Sequence, residues 1–309
     1  MVKPHVLDSR SKPCGDLAWG ESGDVPIIRE TAAKFSRFAN IVSRLSDEWE
    51  GPWFRGQDHA SDPLRPRRYR YRVIDEDEIR SEFKRRAPQL VLGTQPGSDW
   101  ERYFLMQHYG IPTRLLDWSE GGLLALHFAL ISNNGRSDAA VWVLDPFWLN
   151  GEVAQRIPGL LPDVVKRLGT LLPEADDPRD RDLLRLYLGE AFPQRRARLP
   201  DFPIALQPPH IDRRIAAQLS SFTIHGRDPM GLEHLAESNR RPRLAKITIP
   251  RGSIGRMREQ LLDAGITEAT VYPDLYGLAL ELTRLNARGP ISRFTRARPI
   301  RRVPLRRIP

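Results

Sequence analysis

Cysteine is nearly absent from this chain: Cys14 stands alone among 309 residues. That excludes an internal disulfide framework and leaves too few thiolates for a structural zinc site. Long apolar runs are missing as well, since nothing approaches the ~18 residues that a membrane span requires. The opening Met1-Val2-Lys3-Pro4-His5 lacks the charged-then-apolar order of a secretory signal. Together these absences predict a cytoplasmic protein with no membrane partner. No Gly-rich phosphate loop follows the first expected strand, which argues against a regular doubly wound dinucleotide fold. Histidine is sparse, with seven scattered residues, and no metal site is expected.

What the chain does have is arginine. The formal net charge is +9, and its location matters more than its size. Arg284, Arg288, Arg293, Arg296, Arg298, Arg301, Arg302, Arg306 and Arg307 fall between Leu282 and Pro309 with no acid among them, so the body of the chain is balanced. A Pro-interrupted basic tail of this kind attracts nucleic acid or an acidic partner at low salt. A second cluster, Arg65, Arg67, Arg68, Arg70 and Arg72, is followed at once by Asp75, Glu76, Asp77 and Glu78. That juxtaposition predicts a local ion network.

Periodicity divides the chain into a loose lead-in over 1–26, a domain over 27–286 and the basic tail over 287–309. Phe35, Phe38, Val42 and Leu45 recur at helical spacing and predict a helix from about Ile28 to Asp47. Trp53-Phe54-Arg55 reads as a short strand. Helices are expected at about 76–88, 99–108 and 120–132, and the apolar run Ala139 to Leu144 as a buried strand. Leu-rich segments broken by Pro and Asp over about 147–200 read as a helical insert. Strands are expected at 221–225, at 244–249 closed by Pro250, and at Ala269 to Pro273, with helices near 253–264 and after Asp274. Gly265 suits the C-terminal cap of the first of these helices. Strands separated by helices at irregular spacing indicate an α/β fold of the mixed α+β kind.

Two stretches carry the polar density expected of a site. Gln107-His108-Tyr109-Gly110-Ile111-Pro112-Thr113-Arg114-Leu115-Leu116-Asp117-Trp118 packs polar side chains around a Gly and a Pro between helical patterns. Trp53-Phe54-Arg55-Gly56-Gln57 puts an Arg and a Gln beside an aromatic pair, with Gly56 letting a ligand approach the backbone. Duller accounts stand beside these. Arg114 and Asp117 can form an ion pair bracketing a turn, His108 can satisfy the last carbonyls of its helix, and His127 on an apolar face reads as a core histidine. Asp274 suits a helix N-cap. A hydrolase or nuclease using His108 and Asp117, and a non-catalytic module that binds phosphates or nucleic acid, both remain open.

The same stretches resemble the FRG domain, named for its Phe-Arg-Gly core. The likeness spans 53–57, 99–118 and 123–144, and continues in 213–226 and 265–278. The chain is also similar, more distantly, to Arg-Ser-Glu type ADP-ribosyltransferases. Phe54-Arg55-Gly56, Ser220-Ser221-Phe222-Thr223 and Glu268-Ala269-Thr270-Val271-Tyr272-Pro273 follow the order of that family's motifs. The resemblance implies an enzyme that consumes NAD and transfers ADP-ribose to nucleic acid or protein, by association a toxin or phage-defence effector. In it Arg55, joined by Arg114, grips the NAD phosphates. Ser221 and Thr223 line the ribose, while Gln57, His108, Tyr109, Thr113 and Gln218 shape the pocket. Thr270 occupies the position where that family has its glutamate, so the catalytic acid falls to Glu268 or Asp274.

Overall fold

The computed structural model describes residues 27–91, 95–175, 177–188, 199–208, 217–239, 241 and 243–286. Seven strands form one sheet: β1 (Ile28–Thr31), β2 (Trp53–Gln57), β3 (Leu115–Ser119), β4 (Ala139–Leu144), β5 (Ile204–Leu206), β6 (Ser220–Ile224) and β7 (Leu244–Ile249). Their spatial order is β1-β7-β4-β2-β3-β6-β5. Only β1 with β7 is parallel among these ladders, and the rest are antiparallel. The mixed α+β expectation holds. The basic tail and the lead-in lie outside the described residues.

Helices cover both faces, which is why β4, in the centre, is buried at every position. On one face α1 (Phe35–Glu48), α4 (Gly122–Ile131) and α9 (Ile254–Asp263) pack Phe38, Ile41, Leu45, Leu126, Ala129 and Met257 against Phe54, Val141, Val143 and Ile247. On the other, α3 (Asp99–His108), α5 (Pro146–Ala154), α6 (Pro162–Leu168), α7 (Arg181–Leu188) and α8 (Gly231–Glu237) close over Trp53, Trp142 and Leu144. The described part of the 147–200 stretch thus contributes Leu149, Val153 and Leu184 to the core. Asn150 fixes the sheet edge by exchanging two hydrogen bonds with the Ala205 backbone, at 2.9 and 2.7 Å.

α4 is apolar nearly all round because it is buried nearly all round. It lies so close to β2 that a Cβ at Gly56 would stand 2.0 Å from the Ala125 carbonyl oxygen. Gly56 therefore makes room for a helix, a different close approach from the ligand contact the sequence suggested. Two predicted elements are corrected. Residues 28–31 form a strand, drawn out of the helical pattern by pairing with β7, and Arg37 and Arg44 of α1 bond Glu30 on that strand at 2.6 and 2.7 Å. Residues 268–271 are a short helix, α10 (Glu268–Val271), started by Thr267 and followed by α11 (Leu275–Asn286). The β-branched Thr270 and Val271 suggested a strand, but the side chains of Thr267 and Thr270 close a reciprocal cap instead.

Two buried histidines make the fold acid-sensitive. Burial pulls the His127 pKa down from 6.5 to about 4, and burial with the charges of Arg55 and Arg114 pulls His225 down to about 3. Both stay neutral in the fold while the unfolded chain takes up protons near 6.5. Their contribution is therefore full above that pH and is lost as pH falls toward 4, at about 1.4 kcal/mol per pH unit for each histidine. Urea unfolding of His127→Gln between pH 6.5 and 4.5 should show a slope shallower by about that amount. Parallel pH curves for variant and parent would count against it.

Candidate functional site

β2 and β3 pair only at Phe54 with Ser119; β2 goes on along β4, and β3 along β6. Where the two strands part, the Arg55 side chain takes over the role of a ladder donor: Nη1 donates to the Asp117 carbonyl at 2.6 Å and lies 3.7 Å from its carboxylate. Arg55 Nε is buried with no hydrogen-bond partner. This parting opens a cleft of about 490 Å³.

The chain after β2 supplies the cleft's second wall. Leu64 is fully buried and its N–H donates to Glu233 at 2.8 Å. Arg68 N–H donates to the Thr113 carbonyl at 3.1 Å, and the Tyr69 hydroxyl donates to the Gly226 carbonyl. These anchors turn Arg65, Arg67 and Arg70 into the cleft. Arg67 donates to the Gly110 carbonyl at 2.7 Å; Gly110 has φ +75, a left-handed turn that ends α3. Arg65 Nε, like Arg55 Nε, is buried without a partner.

Four arginines thus converge on one cleft with one acid, Asp117, among its described lining residues. Burial, with the nearby Arg70 charge, lowers the Arg55 pKa, and Asp117 partly offsets this. An uncompensated cationic cluster of this kind gains from an anion that bonds its spare N–H groups. The local ion network expected between the Arg65–Arg72 cluster and the acids after it gives way to another arrangement. Asp75 caps α2 (Glu76–Arg86) through the Glu78 N–H, Asp77 pairs with Arg80, and Glu76 pairs with Arg114. With Asp75, Glu76 and Asp77 committed elsewhere, Arg65, Arg67 and Arg70 face the cleft.

α3 forms the opposite wall. Ser98 and Glu101 close a capping box at its start, and its last turn brings Gln107 and His108 to the cleft beside Phe104. The Gln107 amide donates to both Asp117 carboxylate oxygens at 3.0 Å, while its own carbonyl accepts from Thr113. Aromatic surface completes the lining: Phe54, Phe104, Trp118, Phe128, Phe222 and Tyr272. Phe128 and Tyr272, both partly exposed, meet edge to face at 6.4 Å.

Of the residues nominated from sequence, Arg55, His108 and Gln218 line the cleft. The others are placed differently. Arg114 is buried and spends its fork on Glu76 Oε2 at 2.7 Å, the His225 carbonyl at 3.0 Å and the Tyr187 carbonyl; it neither pairs across a turn with Asp117 nor reaches the cleft. Gln57 is buried between Trp142 and Pro63, accepting from the first at 2.8 Å and donating to the second at 3.2 Å. Thr113, Ser221 and Thr223 are buried too; Ser221 donates to Glu120 at 2.9 Å and Thr223 accepts from Trp118 at 3.0 Å. Strand alternation explains this, since Ser220 and Phe222 face the cleft and their neighbours face away. Tyr109 is exposed beyond the rim. Glu268 lies in a separate cavity with His127 and Arg258, its carboxylate held by Arg284 at 2.9 and 3.0 Å. Asp274 caps α11 through the Gly277 N–H at 3.0 Å. Among the described residues no group of three or more His, Cys, Asp or Glu is arranged to hold a metal ion.

The segment that carries most of this cleft also carries the family signal. Residues 50–138 match the FRG domain model. The chain carries an FRG domain. Within the matched span fall Phe54-Arg55-Gly56, the three further cleft arginines, Gln107, His108 and Asp117; β6 and Tyr272, outside it, close the FRG domain's cleft from the far side. No curated protein and no solved structure matches the chain significantly. The signal for the cleft is the basic stretch of 65–70, which the acids at 75–78 directly after it balance on paper.

Proposed function

We propose that the FRG domain binds a nucleotide through its phosphates in the arginine cleft, with NAD, the ligand implied by the transferase resemblance, as the first candidate. One observation carries this reading: Arg55, Arg65, Arg67 and Arg70 share a cleft whose described lining holds a single acid, Asp117. A pyrophosphate offers the several oxygens that such forks bond two at a time. The volume, about 490 Å³, falls in the usual range for small-molecule sites. ADP-ribosyl transfer remains the reaction class that the resemblance attaches to such a ligand. It draws no support from Glu268 or Asp274, which serve Arg284 and α11. Among the described lining residues, the carboxylate that would face a ribosyl cation in this cleft is Asp117.

Titration calorimetry with NAD and ADP tests the reading. Arg55→Lys should weaken binding about 30- to 150-fold, because an ammonium replaces a planar two-pronged donor and a charge-assisted bidentate contact contributes about 2–3 kcal/mol. Affinity unchanged by the Lys substitution, or no binding at millimolar ligand, would sink the arginine cleft as a phosphate site.

A further inference from the structure

We propose that Asp117 binds a sugar diol, so that the cleft selects ribonucleotides over their deoxy counterparts and over bare phosphates. The inference rests on the arginine-cleft reading and adds to it the part of the ligand that is not phosphate. A carboxylate in a phosphate site works against phosphate binding, yet here one is held in place with care. Gln107 Nε2 bridges both Asp117 oxygens at 3.0 Å, and the Gln107 amide is itself oriented by the buried Thr113 hydroxyl. Arg55 stays 3.7 Å away, short of a hydrogen bond, and bonds the Asp117 carbonyl instead. An ionised carboxylate has about four acceptor positions. One amide and a distant guanidinium leave acceptor capacity on a side chain that is 54% exposed and lines the cleft.

That spare capacity calls for a donor on the ligand, and a hydroxyl is the donor that nucleotides place next to their phosphates. Two adjacent hydroxyls match two carboxylate oxygens, the arrangement by which acids elsewhere read ribose. The remaining chemistry of the lining fits the same ligand. Arginines stand at one wall, and the partly exposed rings of Phe128 and Tyr272 offer apolar faces on which a base can stack. Phosphate, sugar and base thus each have a counterpart in one cleft.

The test uses the full chain and four probes: ADP, 2′-deoxyADP, 3′-deoxyADP and inorganic pyrophosphate, titrated into parent and Asp117→Asn. The parent should bind ADP about 10- to 100-fold more tightly than either deoxy form, the range expected for a hydrogen bond to a charged acceptor. In Asp117→Asn that preference should collapse, while pyrophosphate binds as tightly as before or tighter, since one repelling charge has gone. The opposite signs separate a lost sugar contact from general damage, and the comparison of probes on the parent needs no variant. Pyrophosphate binding without discrimination between ADP and its deoxy forms overturns this inference and leaves the arginine cleft standing. Discrimination that survives Asp117→Asn overturns it too. Failure of all four probes to bind overturns both.

Discussion

Replacing Arg114 with methionine should cost about 3–5 kcal/mol of stability, the range for breaking a buried ion pair by removing one partner. Arg114 is 6% exposed and joins four parts of the molecule. Its Nε donates to Glu76 on α2, its Nη atoms to the carbonyls of Tyr187 on α7 and His225 after β6, and its own N–H to the Tyr103 hydroxyl of α3 at 2.8 Å. Tyr103 in turn donates to Glu76, and burial together with the Glu76 charge raises its pKa. Methionine fills the space but leaves the partly buried Glu76 carboxylate with the Tyr103 hydroxyl and no counter-charge from position 114, and takes the donor away from two carbonyls. In a domain of this size that corresponds to a fall in Tm of about 10 °C. The same variant should weaken ligand binding only through loss of fold. Arg55→Lys, on the cleft surface, should do the reverse and lower affinity at nearly constant Tm. A Tm within a degree of the parent for Arg114→Met would show that its network is not a clasp.

The contrast between these two arginines shows how far sequence reading reached. Both stand in polar, aromatic-flanked motifs and both were candidates for phosphate. Nothing local distinguishes them, because what separates them is Glu76, 38 residues before Arg114, and the carbonyls of Tyr187 and His225 far after it. Arg55 has a backbone carbonyl and a half-distant acid for partners, and so keeps a donor spare. Elements fixed by local pattern were legible: β4 from its apolar run, β7 from its strand pattern closed by Pro250, and α3 and α4 from helical patterning. β1 and β3 were not, since each is short and exists by virtue of a partner strand distant in sequence. The cleft arginines at 65, 67 and 70 were hidden for the same reason. Charge balance along the chain said that the acids at 75–78 would neutralise them, whereas helix capping and Arg114 take those acids away.

Gly56 offers the sharpest check on how the cleft is built. Gly56→Ala should destabilise the protein by about 3 kcal/mol or more, at or beyond the usual upper end for overpacking. The added methyl would stand 2.0 Å from the Ala125 oxygen and 2.5 Å from the Ala129 nitrogen. Both are backbone atoms of a helix, so no side-chain rotation relieves the contact. Either β2 bends or α4 moves outward, and α4 carries Leu126 and Leu130, fully buried, together with Phe128 on the cleft wall. Stability and ligand affinity should therefore fall together, unlike the separate effects expected at Arg114 and Arg55. Gly252→Ala is the matched control, because a Cβ there meets nothing within 4 Å at an ordinary φ, and surface changes of that kind stay within about 0.5 kcal/mol. Urea unfolding of the two variants side by side decides the point. If Gly56→Ala unfolds at the same midpoint as the control, the helix does not rest on β2, and the account of the cleft as a gap opened between β2 and β3 beneath α4 fails with it.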